Sequence, residues 1–496
     1  MAAVVFIYLT KFGLLVRYVG MVTQKSLKYT IVNDAFQTSA TIMIWYIVGW
    51  GFAFGKDDFP DTGKGGFVGA SMFMGHLGKD LSPEVANKWA NFLQQMGFCL
   101  ISATIPFGYV NRLLLCFFNT LVRNTSSLRI VFARVVAERL TLQFSTFVTL
   151  LYAGLLYPIV CHLAWSEGGW ASPFREKELM FDCGFVDFAG SLVVHVNAGV
   201  VAIALATLIG ARDGRWRLDG QRYILNPKAQ VSPAFEAFGT VLCLCSSVAV
   251  SGFSAKNIVG DGVVVARAMG NTLIAIAVCS LTSVAIGRYF TAVASPQLAN
   301  GGVLAGIASI SAGCAVVAPE GAVIIGFVAA FAYYVGGMIM IKLRVDDVSH
   351  GIAIHLFAGL WGVLAPGLVS TREGFETTYT DARIGNLNAD EKYEGCYGIM
   401  YGGGVSLLSA QFLTLCAAIA FTGTMTTLFV LIYSRLATPR FSSVWELDGI
   451  DFHKFGGTTQ LLNVSSEKDH GRQRQGILQD TDFEVQIQTS EKGSKI

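Results

Sequence analysis

Charge is the first thing this chain lacks: Asp, Glu, Lys and Arg make up only 14% of its 496 residues, whereas soluble domains carry about 25%. With hydrophobic residues at 53% and mean hydropathy at +0.53, a soluble globular protein is excluded and an all-α polytopic membrane protein is expected. A net charge of +2 leaves no basic field for nucleic acid or for an anionic substrate. Cysteine patterning is missing as well. The ten cysteines form no CxxC pair and mostly fall in apolar runs as small hydrophobes, so neither a metal site nor a disulfide framework is expected. The opening MAAVVFIYLTKFGLLV has no A-x-A cleavage pattern behind it, and Lys11 interrupts its apolar stretch; it reads as a shortened first membrane span.

Long apolar runs are what the chain has instead. A bilayer core of about 30 Å takes about 20 residues of helix, and scanning at that length finds roughly eleven candidates. Their centres lie near residues 15, 45, 98, 152, 198, 243, 275, 305, 330, 359 and 421. Basic residues follow the odd spans: Lys25 and Lys28 the first, Arg134 and Arg139 the third, Arg212 to Lys228 the fifth, Arg435 and Arg440 the last. By the positive-inside rule those loops are cytoplasmic, which sets the amino terminus outside and the carboxyl terminus inside.

Two of these runs share a pattern. Asp187-x7-His195-x2-Ala198-Gly199 recurs as Asp347-x7-His355-x2-Ala358-Gly359. Given the alternation of loops, the two copies enter the membrane from opposite faces, so the repeat is inverted. At about 1.5 Å per residue each histidine lies about 12 Å beyond its aspartate, which brings both near the midplane. Intramembrane histidines are costly and mark functional sites, and a matched pair reads as a shared pore more readily than as two helix-gluing side chains. A bound haem fits less well, since each helix offers one symmetric histidine; no cofactor is expected. His162 and His350 have no repeat partner and read as helix-end packing. Asp187 and Asp347 stand at helix starts, where a carboxylate caps free N–H groups; Asp187, toward the outer mouth, is also placed to hold a cation or relay a proton. The pairs Gly301-Gly302 and Gly336-Gly337 are expected to let backbones approach around the histidines.

The run GFVDFAGSLVVHVNAGVVAIALATLIGAR resembles the fifth-helix signature of the Amt/Mep/Rh ammonium transporter family, on the Amt side. RYVGMVTQKS, VVAERL, DDVSHGIAIHLFAGLWG and ELDGIDFHKFGG match further family stretches in order, so the resemblance covers roughly residues 12 to 457. It implies eleven helices in an inverted five-plus-five repeat with a final helix, assembled as a homotrimer in the plasma membrane. It also implies His195 and His355 as twin pore histidines, Phe98 and Phe253 as a stacked gate, and Trp165, Asp187 and Asn257 as the residues that meet the substrate. That substrate would be ammonium or ammonia, with methylammonium as analogue, and the chain would be a transporter and not an enzyme. An ammonium receptor signalling through its tail is the alternative within the same resemblance.

Several positions depart from the family. Gln94 stands where a second aromatic is usual at the mouth, Asn257 replaces a serine, and His453 replaces a threonine that plant relatives carry in the tail. Residues 106–131, with Arg112, Arg123 and Arg129, have no family counterpart and read as a retained intron interrupting the third span. The chain therefore divides into a membrane domain over 1–457, with that insertion, and a polar tail over 458–496 that cannot form a core and is expected to be disordered.

Overall fold

The computed structural model describes residues 2–56, 66–75, 77, 82–108, 140–175, 179–211, 216–219, 222–225, 232–254, 262–292, 294–347, 349–379 and 395–455. Within them, eleven long helices follow the expected centres. These are α1 (Ala2–Met21), α2 (27–54), α3 (Pro83–Thr104), α4 (Leu142–Trp165), α5 (Ser191–Ile209), α6 (Pro233–Phe253), α7 (Gly262–Thr291), α8 (Pro296–Ile310), α9 (Pro319–Lys342), α10 (Ile352–Val369) and α11 (Ser406–Leu436). Eight of the eleven are long and apolar enough to cross a membrane by length and composition. Two short helices, α12 (Ser443–Asp448) and α13 (Ile450–Phe455), close the described chain.

Local sequence explains the helix starts. Ser82, Thr141 and Ser232 each turn a hydroxyl onto a backbone N–H of the following turn, and Pro83 and Pro233 sit at the first helical position, where a missing N–H costs nothing. The expectation of an all-helical chain needs one small correction: the loop after α5 holds an antiparallel hairpin, Trp216–Asp219 against Arg222–Leu225. That loop is polar and has no apolar stripe with which to dock a helix.

The first span is not shortened. Its 20 residues reach about 30 Å, and its charges have partners: Lys11 pairs with Asp34 on α2, and Arg17 with Glu236 on α6. Nor is the third span interrupted midway. Pro83–Thr104 is a continuous helix of 22 residues, long enough to cross alone at about 33 Å, and a 3-10 turn, Ile105–Gly108, follows it. Most of the insertion, like the tail beyond residue 455, lies outside the described residues.

Helix pairing follows the inverted repeat. A Cβ on Gly13 would touch Cys243, one on Gly239 would touch the Arg17 backbone, and one on Gly20 would lie 2.4 Å from the Glu236 nitrogen. Positions ascend along α1 as they descend along α6, so the first helices of the two halves cross antiparallel. The last helices of the halves, α5 and α10, do the same, as the site geometry below requires.

One disulfide corrects the reading of the cysteines. Cys183 and Cys396 are bonded, with Cα atoms 5.3 Å apart, although 213 residues separate them in sequence. They sit in the loops before α5 and α11, which only the folded bundle brings together, so their spacing carries no signal. Of the other described cysteines, Cys99, Cys161, Cys243, Cys279 and Cys314 are buried free thiols, as expected of small hydrophobes.

Peptide mapping of the unreduced protein is expected to recover the Cys183 and Cys396 peptides linked. Replacing either cysteine by serine should lower stability by about 2–4 kcal/mol in a thermal melt of the solubilised protein; two free thiols at these positions would contradict the pairing.

Candidate functional site

The site grows from the start of α5. Residues 185–190 run extended and are held on three sides. Phe188 and Ala189 donate their N–H groups to Ala312 and Ser311, and the Gln411 amide from α11 brackets Val186, accepting from its N–H and donating to its carbonyl, both at 2.8 Å. Gly190 then turns the chain with φ +100°, a conformation that side-chain-bearing residues rarely adopt. Beyond it the chain winds as a π-helix over Ser191–Val196 before continuing as an ordinary helix. The start of α10 repeats the device, with a π-helix over Ile352–Ala358. Such turns are rare and cluster at functional positions; here each one carries a repeat histidine.

Both aspartates cap these helices. One Asp187 oxygen accepts from the N–H groups of Leu192 and Val193, each at 3.0 Å. The Asp347 carboxylate accepts from Gly351 and Ile352 at 2.9 Å and from Ala353 at 3.3 Å. The capping expectation thus holds for both, since a negative group at a buried helix start satisfies donors that nothing else reaches. They differ in one respect: Asp187 Oδ1 is buried without a hydrogen-bond partner.

The histidines meet. Their Nδ1 atoms are 2.9 Å apart, and the rings are nearly parallel with centroids at 5.0 Å. One Nδ1 donates and the other accepts, which sets the two tautomers in opposition. What allows the contact is glycine four residues beyond each histidine. A Cβ on Gly199 would lie 2.9 Å from the Leu356 nitrogen, and one on Gly359 would lie 2.9 Å from Val196. Each glycine therefore receives the residue that follows the opposite histidine, and the two crossings are antiparallel. The glycine pairs singled out from sequence do other work. Gly301 faces the Tyr333 hydroxyl, Gly302 packs on Ser280 and Ser283, Gly336 takes the Phe357 ring, and Gly337 has no neighbour within 4 Å.

Above the histidines, the Trp165 indole N–H donates to the Asp187 carbonyl at 2.6 Å, and its ring lies 5.6 Å from Phe98. Trp165 is 8% exposed, so it sits below the surface. Phe253 stacks on Phe6 of α1, with centroids 6.0 Å apart. Among the described residues Phe98 and Phe253 form no ring pair with each other. Gln94, one turn before Phe98, joins their helices instead by donating to the Phe253 carbonyl at 3.3 Å. Asn257 lies outside the described residues. His162 packs as expected, its Nδ1 2.9 Å from the Ala53 carbonyl. Two residues that the sequence did not single out bear on this region. Gln411 left no trace in any motif, and Arg17 gave only the signal of a charge inside an apolar run.

Valine in place of Gly199 should push α5 and α10 apart. An overpacking cost of about 1–3 kcal/mol is expected as a lower melting temperature; an unchanged melt would mean the helices do not cross there.

Comparison with known proteins places this geometry. The sequence profile of the Ammonium Transporter Family matches residues 1–113 and 113–460. Ammonium transporter 1 member 1 of Arabidopsis thaliana is 29% identical over 456 residues, 88% of this chain and 80% of its own length. Ammonium transporter 3 of Dictyostelium discoideum is 26% identical, covering 93% of both chains. Among solved structures, a sensor Amt protein aligns with a TM-score of 0.72 at 22% identity, over 92% of this chain and 96% of its own. Mep2 of Saccharomyces cerevisiae aligns with a TM-score of 0.64 at 18% identity, over 87% and 83%; at such identities these two likenesses speak for the fold alone.

Proposed function

The chain belongs to the Ammonium Transporter Family, and on that premise we propose that it moves ammonium across the plasma membrane, stripping a proton at the outer half and conducting ammonia past His195 and His355. The observation that carries this reading is the imidazole contact at the crossing of α5 and α10, with both rings buried among apolar side chains. A polar pair in such a place is worth its cost only if something passes it that needs hydrogen bonds and no full charge.

The outer cluster supports the first step. An indole attracts a small cation by about 1–2 kcal/mol when partly desolvated, and Trp165 stands beside the spare Asp187 oxygen. An N–H bond of ammonium breaks there, and the proton returns to the outer water or travels separately. Phe98 and Phe253 supply an apolar barrier that penalises the ion, and Asn257 would complete the substrate contacts. Transfer of this kind changes no bond of the substrate other than N–H, so the reading is transport without catalysis.

Orientation follows from two observations that agree. Basic residues favour one side for the odd loops, and the Cys183–Cys396 bond lies with Asp187 on the other side, as an exoplasmic disulfide should. The amino terminus is then outside and the tail cytoplasmic. Broad apolar faces on α7, α9 and α11, such as Leu281, Phe327 and Phe412, remain for lipid and for neighbouring subunits of a homotrimer.

A second reading, an ammonium receptor, draws on the tail. Asp451 of α13 accepts from the N–H groups of Lys28 and Tyr29, each at 2.8 Å, and so caps the start of α2. A tail joined to the bundle in this way is able to report a change within it.

Methylammonium uptake in yeast lacking its own carriers tests the leading reading. The chain is expected to restore uptake, and His195→Ala to reduce it by about tenfold or more, the loss of roughly one hydrogen-bonding site. Absence of uptake, with or without residues 106–131, would sink it. A tail-dependent response that persists in a variant without flux would favour the receptor.

A further inference from the structure

Arg17 is a charge that the transport reading leaves unused. It lies in α1, is 1% exposed, and occupies the junction of three helices on the Asp347 side of the histidine pair. Its Nη2 donates to the Ser349 carbonyl at 3.3 Å, in the turn leading into α10, and stands 3.8 Å from Glu236 Oε1 on α6. The tight α1–α6 crossing at Gly20 and Gly239 pins both members of this pair by their backbones. Arg17 Nε and Nη1 are buried and have no hydrogen-bond partner among the described residues, and the nearby Tyr333 hydroxyl has none either. The guanidinium charge acts on both Tyr333 and His355.

The chemistry of this arrangement is one-sided. A guanidinium only donates hydrogen bonds and stays charged at all accessible pH. Buried donors without acceptors are costly, so the spare N–H groups favour any small acceptor that arrives. Ammonia brings a lone pair and accepts. Ammonium has no lone pair and carries a like charge, and a hopping proton meets the same field. Glu236 balances the charge from the α6 side and leaves the donor edge toward α10.

We propose that Arg17, held by Glu236, is a specificity-determining residue at the inner end of the pathway, passing neutral ammonia and turning back ammonium and protons. The inference rests on the transport reading above. In atoms, the proton lost by ammonium in the outer half goes back to the outer water, ammonia alone passes Arg17, and inner water supplies the proton that re-forms ammonium. Net charge does not cross.

Purified full-length chain in liposomes, with methylammonium uptake and current recorded together, tests this. Wild type is expected to move well under one charge per methylammonium. The double variant R17M/E236Q removes both charges, so that neither is left buried alone, and the charge moved per methylammonium should rise by about tenfold as the electrostatic barrier goes. R17K keeps the charge and should stay near the wild-type ratio. If the double variant is not recovered folded, R17Q is read in its place with the same expected rise. A wild type that carries one charge per methylammonium, or a charge-free variant that transports with no added current, overturns the proposal. Absence of any wild-type uptake is a different result and overturns the transport reading itself.

Discussion

Two imidazoles touch inside an apolar bundle only where two helices cross with almost nothing between them, and the rest of this structure serves that crossing. Gly199 and Gly359 give up side-chain volume so that Leu356 and Val196 enter. The π turns at Ser191–Val196 and Ile352–Ala358 aim the histidines at each other. A helix start at this depth would leave backbone donors unmet, and Asp187 and Asp347 meet them from opposite ends. Symmetry makes the solution economical: one local device, used twice and inverted, builds both halves.

Polar groups elsewhere in the bundle obey the same constraint, that nothing charged or hydrogen-bonding stays buried without an answer. Lys11 is met by Asp34 and Arg17 by Glu236, so a first helix that looks damaged by charge is tied to two neighbours by it. Gln411 fixes the strand leading to Asp187 and also donates to the Val363 carbonyl on α10. Residual orphans are few and instructive. Asp187 Oδ1 and the spare Arg17 nitrogens lie on opposite sides of the histidine pair, an acceptor where a cation would arrive and donors where a neutral molecule would leave.

The cytoplasmic end is built from aromatic stacking. Trp445 lies flat on His453 with an interplanar angle of 6°, Phe441 stacks on Trp445 and meets Tyr29 edge-on, and Lys454 hovers over Phe441 and Trp445. Together with the Asp451 cap, these contacts seat the tail helices on the start of α2. His453, which breaks the pattern of plant relatives, is thus a stacking residue within its own tail and bonds Asp448 at 3.3 Å.

Much of this was legible in residues alone, because a membrane restricts what a chain can do. Apolar run length yields the eleven helices, and the Asp-x7-His spacing yields the crossing, since a helix has a fixed rise and the bilayer a fixed thickness. Caps at Asp187 and Asp347 follow from position. Contacts between residues far apart in sequence were not legible. No spacing joins Cys183 to Cys396, Gln411 to Val186, or Gln94 to the Phe253 carbonyl, and the partners of Lys11 and Arg17 are set by which helices lie side by side. Sequence by itself determined which segments cross the lipid and that two histidines share a depth, because those depend on hydrophobicity and helical rise. Only the tertiary structure decided that the rings touch, that Phe98 rests on Trp165 and Phe253 on Phe6, and that Arg17 stands below the pair, because lateral packing depends on side-chain volumes that no single helix contains.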